Sequence, residues 1–297
     1  MMPSASQFRA YLQLTKPTII ALVAITGLGT MVAEGSIFHE PLKMSLVLIA
    51  IILSAASANA INQFIDRDID SVMDRTRSKR PLPLHSIAPV SALSFALLLG
   101  IVSNAFLWIK INPLSAIISV ATILFYVFIY TLWLKRRHHY NIVIGGAAGA
   151  TAPLIASAAG TNDLSALSWI LFGIIFTWTP PHFWALALAL KDQYEKVRIP
   201  MLPNVLGDER TRLEIVLYTL ILLPLGLIPC FMENAGILYA ILSIALWLWY
   251  MRETVVQLKK QTVSAYRRLF FVSIGYLFFL FLGLMLDGLW RWLRGEI

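Results

Sequence analysis

Long apolar stretches separated by short charged ones set the plan of this chain. A bilayer core of about 30 Å is crossed by about 20 apolar residues at helical rise. Nine stretches meet that requirement, near 18–36, 44–63, 88–109, 113–134, 142–160, 166–190, 212–232, 235–252 and 269–289. They are apolar on every side rather than along one face, as expected of helices buried in a bundle or in lipid. The eighth is short and the fifth is rich in Gly. Pro113, Pro153, Pro180, Pro181, Pro224 and Pro229 fall in or at the ends of these stretches, where neighbouring helices re-satisfy the backbone groups that Pro frees. The expected fold is all-α, a polytopic membrane protein of about nine helices in one bundle, with residues 1–297 as a single domain.

Composition supports this plan. The chain is 58% hydrophobic and 13% charged, with a mean hydropathy of +0.74. A soluble domain carries roughly 25% charged residues. The net charge of +8 would suggest nucleic acid on a soluble protein. Here the bases collect in alternate loops, and no basic face interleaved with aromatics lies away from the membrane, so nucleic acid is not an expected partner. With a cytoplasmic N-terminus, Lys43, Lys110, Arg291 and Arg294 alone among the 24 Lys and Arg residues lie outside. The positive-inside rule therefore places the N-terminus in the cytoplasm. Arg9 and Lys16 precede a first span that reads as retained rather than as a cleaved signal peptide. Cys230 is the single cysteine, which excludes an intrachain disulfide and any Cys-based zinc or iron–sulfur site.

The second span runs straight into a charged segment, Asn62-Gln-Phe-Ile-Asp66-Arg67-Asp68-Ile-Asp70, continued by Asp74, Arg75, Arg77, Lys79 and Arg80. Asn62, Asp66, Asp70 and Asp74 recur every fourth residue, which stacks them along one helix face. A row of hard oxygen ligands suits magnesium, which takes one or two carboxylates together with waters and phosphate oxygens. Asn62, Asp66 and Asp70 supply the line, and Asp74, one further turn out, is expected in water. Asp68 points elsewhere, to join only if the helix unwinds or to pair with Arg75 or Arg77. Arg67, Arg75, Lys79 and Arg80 are placed to neutralise a diphosphate. The plain alternative is a solvated, salt-bridged helix end. Ionisable groups that begin inside a span favour the functional reading.

A faint repeat strengthens it. The sixth span ends in Lys191-Asp192-Gln193-Tyr194-Glu195-Lys196, with Arg198 beyond, and both segments lead to a Pro-Leu-Pro-like stretch, at Pro81–Pro83 and Pro200–Pro203. Two halves presenting acids at one membrane surface imply a shared site. Asp192 is the candidate for a second magnesium. Lys196 and Tyr194 are candidates for phosphate, Tyr194 otherwise packing in the pocket. His182, in Thr179-Pro-Pro-His-Phe-Trp184, lies two to three turns above Asp192. It is either hydrogen-bonded to a neighbouring helix or in contact with a buried ligand or substrate. His138 and His139 follow Lys135-Arg136-Arg137 and read as an interfacial basic loop, or as a contact to anionic groups of a large substrate. Tyr126, Tyr130, Trp169, Trp178, Phe183 and Trp184 belong to packing or the interface belt, or line a prenyl pocket where an aromatic face can stabilise a carbocation.

These strings resemble the UbiA-type intramembrane prenyltransferases, and within them the haem O synthases, the group that farnesylates protohaem IX. The resemblance rests on Leu14-Thr-Lys-Pro17, Asn62–Asp70, Met73-Asp-Arg-Thr76, Tyr130–Arg137, Asn141–Gly149, Pro181–Ala187 and Ile199–Pro203, in order over most of the chain. It implies a magnesium-dependent enzyme that takes farnesyl diphosphate and protohaem IX and, with addition of water, releases diphosphate and haem O. It also implies a multi-pass protein of a bacterial inner membrane, and haem-handling enzymes or terminal oxidase assembly as partners. By the same resemblance Asp66 and Asp70 bind magnesium with Asn62 orienting it, and Lys135, Arg136 and His182, with His138, lie near haem. One departure concerns the second cluster. The family usually has a carboxylate immediately before its tyrosine, where this chain has Gln193, so Asp192 or the Gln193 carbonyl takes that role. A prenyltransferase acting on another aromatic or tetrapyrrole acceptor shares these clusters. A cation transporter is the reading from another class, although transporters place their charges near the midplane.

Overall fold

Proline opens four of the long helices at the first or second position, where its missing N–H costs nothing and its fixed φ suits the first turn. In the computed structural model, which describes residues 5–296, the chain forms helices joined by short loops, with no strand among the described residues. A short helix, α1 (Ala5–Leu14), precedes α2 (Pro17–Glu34) and α3 (Pro41–Ile65). Two small helices follow, α4 (Arg67–Val72) and α5 (Asp74–Arg77). Next come α6 (Pro89–Ile111) and α7 (Pro113–Leu134), then α8 (Asn141–Gly149) and α9 (Ala152–Thr161), the two halves of one broken span. The second part of the chain holds α10 (Ala166–Ala189), the small α11 (Lys191–Lys196) and α12 (Leu202–Val205), and the long α13 (Gly207–Phe231), α14 (Ile237–Lys260) and α15 (Val263–Leu293).

Eight of these units are long and apolar enough to cross a membrane. The ninth expected span, α14, has the length, but its last turns carry Arg252, Glu253, Lys259 and Lys260. The protein is a multi-pass membrane protein. Its large outward side chains, such as Leu98 and Ile101 on α6 and Ile241 and Leu248 on α14, are apolar, as a lipid-facing surface requires.

The interior is divided between two lobes. In the first, α2, α3, α7 and α9 meet around Met31, Ile51, Leu107 and Ile155. In the second, α10, α13, α14 and α15 enclose Ile174, Trp184, Tyr250, Tyr276 and Phe281. Small residues let the backbones approach, as is usual where lipid supplies no hydrophobic drive. Ser54 and Ser119 share a hydrogen bond between α3 and α7 at 2.7 Å, and Ser103 of α6 donates to the Ala50 carbonyl of α3 at 2.8 Å. α2 packs on both lobes, and a cavity lies between them.

Two irregularities position the site. The ends of α6 and α7 widen into π-helix, with Lys135 N donating to the Tyr130 carbonyl, five residues back. Such widened turns recur at functional positions. Pro180 and Pro181 sit inside α10 and leave the carbonyls of Phe176 and Thr177 without their usual helical donors.

Candidate active site

The cavity, about 430 Å³, is walled mostly by apolar side chains of α2, α3, α7, α8, α9, α10 and α15, and its charged groups gather at one end. That end is where α3 stops. Asp66 is the residue between α3 and α4, and Asp70 N still donates to the Asp66 carbonyl, so Asn62, Asp66 and Asp70 keep one face through the junction. The face ends there. Met73 is extended at φ −73° and ψ 126°, which swings Asp74 outward to pair with Arg77 and Lys196. Asp74, the residue expected one turn further out and in water, is therefore separate from the row.

Each residue in the row has a cation or amide beside it. Asp66 is fully buried, and its Oδ2 accepts from Asn62 Nδ2 at 2.8 Å and from Lys135 Nζ at 2.5 Å. Asn62 Oδ1 accepts from Lys16 Nζ at 2.7 Å, and Asn62 Nδ2 also donates to Thr131 Oγ1. Asp70 pairs with Arg80. Burial lowers the pKa of Lys16 well below the usual lysine value, and the neighbouring charges of Arg80 and Lys135 lower it further. Buried charges need such partners, because an unpaired one costs several kcal/mol, roughly 3–5 when a pair is broken. One atom remains without a donor: Asp66 Oδ1 is buried and makes no hydrogen bond, its nearest cation being Arg136 at 3.9 Å.

The far wall is aromatic. His182 of α10 is sandwiched between Trp178 and Phe270, with ring centroids 4.3 and 4.4 Å away, and Phe183 meets it edge-on. Its Nδ1 bonds Ser273 Oγ of α15 at 2.7 Å. Tyr126 and Tyr130, brought onto the wall by the widened turn of α7, stack at 5.3 Å. Gly145 makes room for the second ring, since a methyl there would lie 2.1 Å from Tyr130 Cδ2.

Of the residues expected from the sequence, Asn62, Asp70, Arg75, Arg80, Lys135, His182 and Tyr194 line the cavity, and Asp66 sits behind Asn62 and Lys135. The others lie elsewhere. Arg67 donates to the Phe64 carbonyl and rests over the Phe64 ring, outside the cavity. Arg136 forks onto Asp68 at 2.8 and 2.9 Å; burial opposes the Asp68 carboxylate, but this bond outweighs it and holds its pKa below the ordinary value. Arg136 is thus the partner of Asp68 that the sequence assigned to Arg75 or Arg77. Lys79 and Asp192 are exposed and do not line the cavity, and Lys196 reaches only Asp74. His138 is exposed, stacked on His139 at 4.7 Å.

The second charged segment does meet the first. Gln193 Oε1 accepts from the Arg75 backbone N–H at 3.1 Å, and Tyr194 packs with Ile69, Met73 and Ile142. Sequence reasoning missed Lys16 as a site residue, although a lysine immediately before the Pro that opens a span was a usable signal. It also missed Gly145 and Thr131. Their roles depend on which helices face each other.

An apolar chamber with paired carboxylates and bases at its mouth suits an amphipathic substrate with an anionic head. Comparison with known proteins gives the family. The sequence pattern of the UbiA prenyltransferase family matches residues 22–286. A relative from Gloeobacter violaceus named protoheme IX farnesyltransferase is 46% identical over 284 residues, 94% of this chain and 92% of that one. Among solved structures, a digeranylgeranylglyceryl phosphate synthase superposes with a TM-score of 0.76 at 20% identity, over 95% of this chain and 98% of that one. A UbiA homologue from Archaeoglobus fulgidus, bound to DMAPP and Mg2+, gives 0.65 at 17% identity, over 92% and 99%. The chain is a member of the UbiA prenyltransferase family.

Proposed function

We propose that this protein transfers the farnesyl group of farnesyl diphosphate to a vinyl group of protohaem IX, with addition of water, to give haem O. The observation that carries the proposal is the pairing of Asp66 with Lys135 and of Asp70 with Arg80 at the mouth of an otherwise apolar cavity. The name of the relative from Gloeobacter violaceus supports the choice of substrates.

The residues fit a magnesium ion. Asp66 Oδ1 is a buried carboxylate oxygen with no donor, and Asp70 stands one turn on. Among the described residues no three His, Cys, Asp or Glu side chains converge into a ready-made metal cluster. A magnesium held by two carboxylates, waters and substrate phosphate oxygens needs none. Asp66 and Asp70 would hold the ion, with Asn62 orienting them. When bound, it supplies charge neutralisation for the departing diphosphate.

The chain does the rest. Lys135 and Arg80, each paired with a carboxylate, and Arg75 on the cavity wall offer their charges to the diphosphate, and Lys16 offers its N–H donors. The allylic chain lies along the apolar wall between α2 and α10, where water is excluded and the cation survives until the vinyl carbon attacks. Tyr126, Tyr130 and Trp178 present aromatic faces to that charge. His182 lies on the wall of the acceptor end. The basic end of the bundle faces the cytoplasm of a bacterial inner membrane, residues 1–297 work as one domain, and haem O passes to haem-handling enzymes or oxidase assembly.

Purified protein in lipid nanodiscs, given farnesyl diphosphate, magnesium and haem, is expected to yield a hydroxyethylfarnesyl porphyrin by mass spectrometry, and chelation of divalent ions to abolish it. Farnesylation of a quinone precursor in place of haem would overturn the acceptor. Full activity in chelator would overturn the metal.

A further inference from the structure

The second lobe carries a buried polar stripe that neither packing nor the charged mouth explains. Gln257, Thr254 and Tyr250 succeed one another on one face of α14, beginning one turn from its end at the basic side of the bundle. All three are fully buried. Both amide atoms of Gln257 and the hydroxyl of Tyr250 have no hydrogen-bond partner, and neither does the hydroxyl of Tyr276, whose ring lies 5.3 Å from that of Tyr250. The Tyr250 hydroxyl faces Thr219 and Ser273 without closing a bond to either. Ser273 in turn bonds His182, on the cavity wall.

So many unpartnered polar atoms in a row are rare in a folded interior, and ordered water is what ordinarily satisfies them. The inner end of the row has a defined polarity. The Ser273 hydroxyl donates to the Phe270 carbonyl at 2.6 Å, which uses its only proton. The bond of 2.7 Å between Ser273 and His182 therefore has Nδ1 of His182 as donor. That fixes the neutral tautomer with a bare Nε2, the nitrogen left for the cavity.

We propose that this stripe is a water path from the basic end of α14 to the cavity, and that His182 Nε2 holds the water that adds to the acceptor and takes its proton. The inference rests on the reaction proposed above. There, the C–O bond of farnesyl diphosphate breaks with its electron pair on diphosphate. The terminal vinyl carbon then gives its π pair to the allylic carbon, leaving a positive charge on the ring-side carbon. The water oxygen bonds to that carbon, one of its protons passes to Nε2, and the product is a neutral alcohol. With diphosphate and acceptor filling the mouth, a side path is the means by which water reaches that carbon and not the earlier allylic cation.

The path is tested by changing it without touching the charged mouth. Tyr250→Phe and Gln257→Leu delete unpartnered polar atoms and keep the packing volume. With water delivery impaired, the ring-side cation sheds a proton from the neighbouring carbon to diphosphate and gives an alkene one water lighter. The ratio of hydrated to lighter product, read by mass spectrometry, is expected to fall about tenfold or more in both variants, while total farnesyl transfer holds. His182→Phe, which keeps the ring stack, is expected to shift the ratio the same way. An unchanged ratio in the two path variants overturns the path. Weakened haem binding in His182→Phe with an unchanged ratio in the product that still forms overturns the proton-accepting role and assigns Nε2 to the iron. A second readout needs no turnover: hydroxyl-radical labelling of the wild-type protein in nanodiscs is expected to mark Tyr250 well above the equally buried Phe281, and equal labelling overturns the path. If the wild type makes no farnesylated haem, the reaction has failed, and the labelling still decides whether the stripe holds water.

Discussion

Asn62–Arg80 and Lys191–Arg198 each follow a long apolar helix and each mix acids with bases, yet they meet different surroundings. α3 is packed on α2, α6 and α7 up to its last turn, so Asp66 is fully buried before the chain escapes, and Lys135 from the end of α7 reaches it. α10 ends at Ala189, and after Leu190 the chain starts the short α11 at the surface. Asp192, Glu195 and Lys196 are exposed there. Gln193 and Tyr194 turn inward, the first onto the Arg75 backbone and the second into the cavity wall. The same residue types thus give a charge-bearing floor in one case and a brace for that floor in the other. Burial raises the stakes of Asp66 and Asp70 in the first segment, and solvent screens the charges of the second.

The sharpest way to break this contrast is Asp66→Asn. The change keeps shape, removes the charge that Lys135 pairs with and that the proposed metal requires, and turns one carboxylate oxygen into a donor. Prenyl transfer in membranes is expected to fall by about 10²–10³-fold in kcat, the scale of losing one preorganised electrostatic group. A loss below tenfold would show that the first segment is no more than a paired helix end. Next comes Arg80→Met. It leaves Asp70 without its base but retains much of the stem, and KM for farnesyl diphosphate is expected to rise by about 10–100-fold with a smaller change in kcat, since a charge-assisted bond is worth about 1.5–3 kcal/mol. Equal losses in kcat and KM would place Arg80 in structure rather than in binding.

Much of this contrast was legible in the sequence, and the reasons it was not wholly so are local. The apolar stretches gave the helices because a run of about 20 apolar residues admits few other structures. Their ends moved where charge begins early or late: α15 runs from Val263 to Leu293, well past the apolar stretch, and α13 starts at Gly207, before Arg210 and Arg212. The four-residue period placed Asn62, Asp66 and Asp70 on one face, as found, but not the extended Met73 that detaches Asp74. That turn follows from the docking of Met73 against Tyr194 and Ile199, a contact between segments far apart in the chain. The partner of Asp68 could not be read for the same reason. Arg136 lies 68 residues away, and local spacing favoured Arg75 or Arg77. The widened turn of α7 left no mark in composition, although Gly145 opposite Tyr130 is its trace.

Finer tests fall on the second segment. Gln193→Ala removes the bond to the Arg75 N–H that ties the two segments together. One such bond is worth about 0.5–1.5 kcal/mol. KM for farnesyl diphosphate is expected to rise a few-fold, about two- to tenfold, and kcat to hold, because the bond positions Arg75 and touches no reacting atom. Gln193→Glu should restore most of the affinity, since a carboxylate accepts from the same N–H.

The smallest expected effect belongs to Asp192→Asn, and it bears most directly on how the two segments divide their work. Asp192 is exposed on α11 and does not line the cavity. Its neighbour in sequence, Gln193, occupies the inward position. An exposed carboxylate contributes little through screened solvent, about 1 kcal/mol or less. Activity and the magnesium concentration for half-maximal rate are therefore expected to change by less than about twofold. A rise of tenfold or more in that concentration, with KM for haem unchanged, would show that α11 rotates to bring Asp192 over the diphosphate. Both segments would then carry metal, and the distinction between floor and brace would describe the substrate-free protein alone.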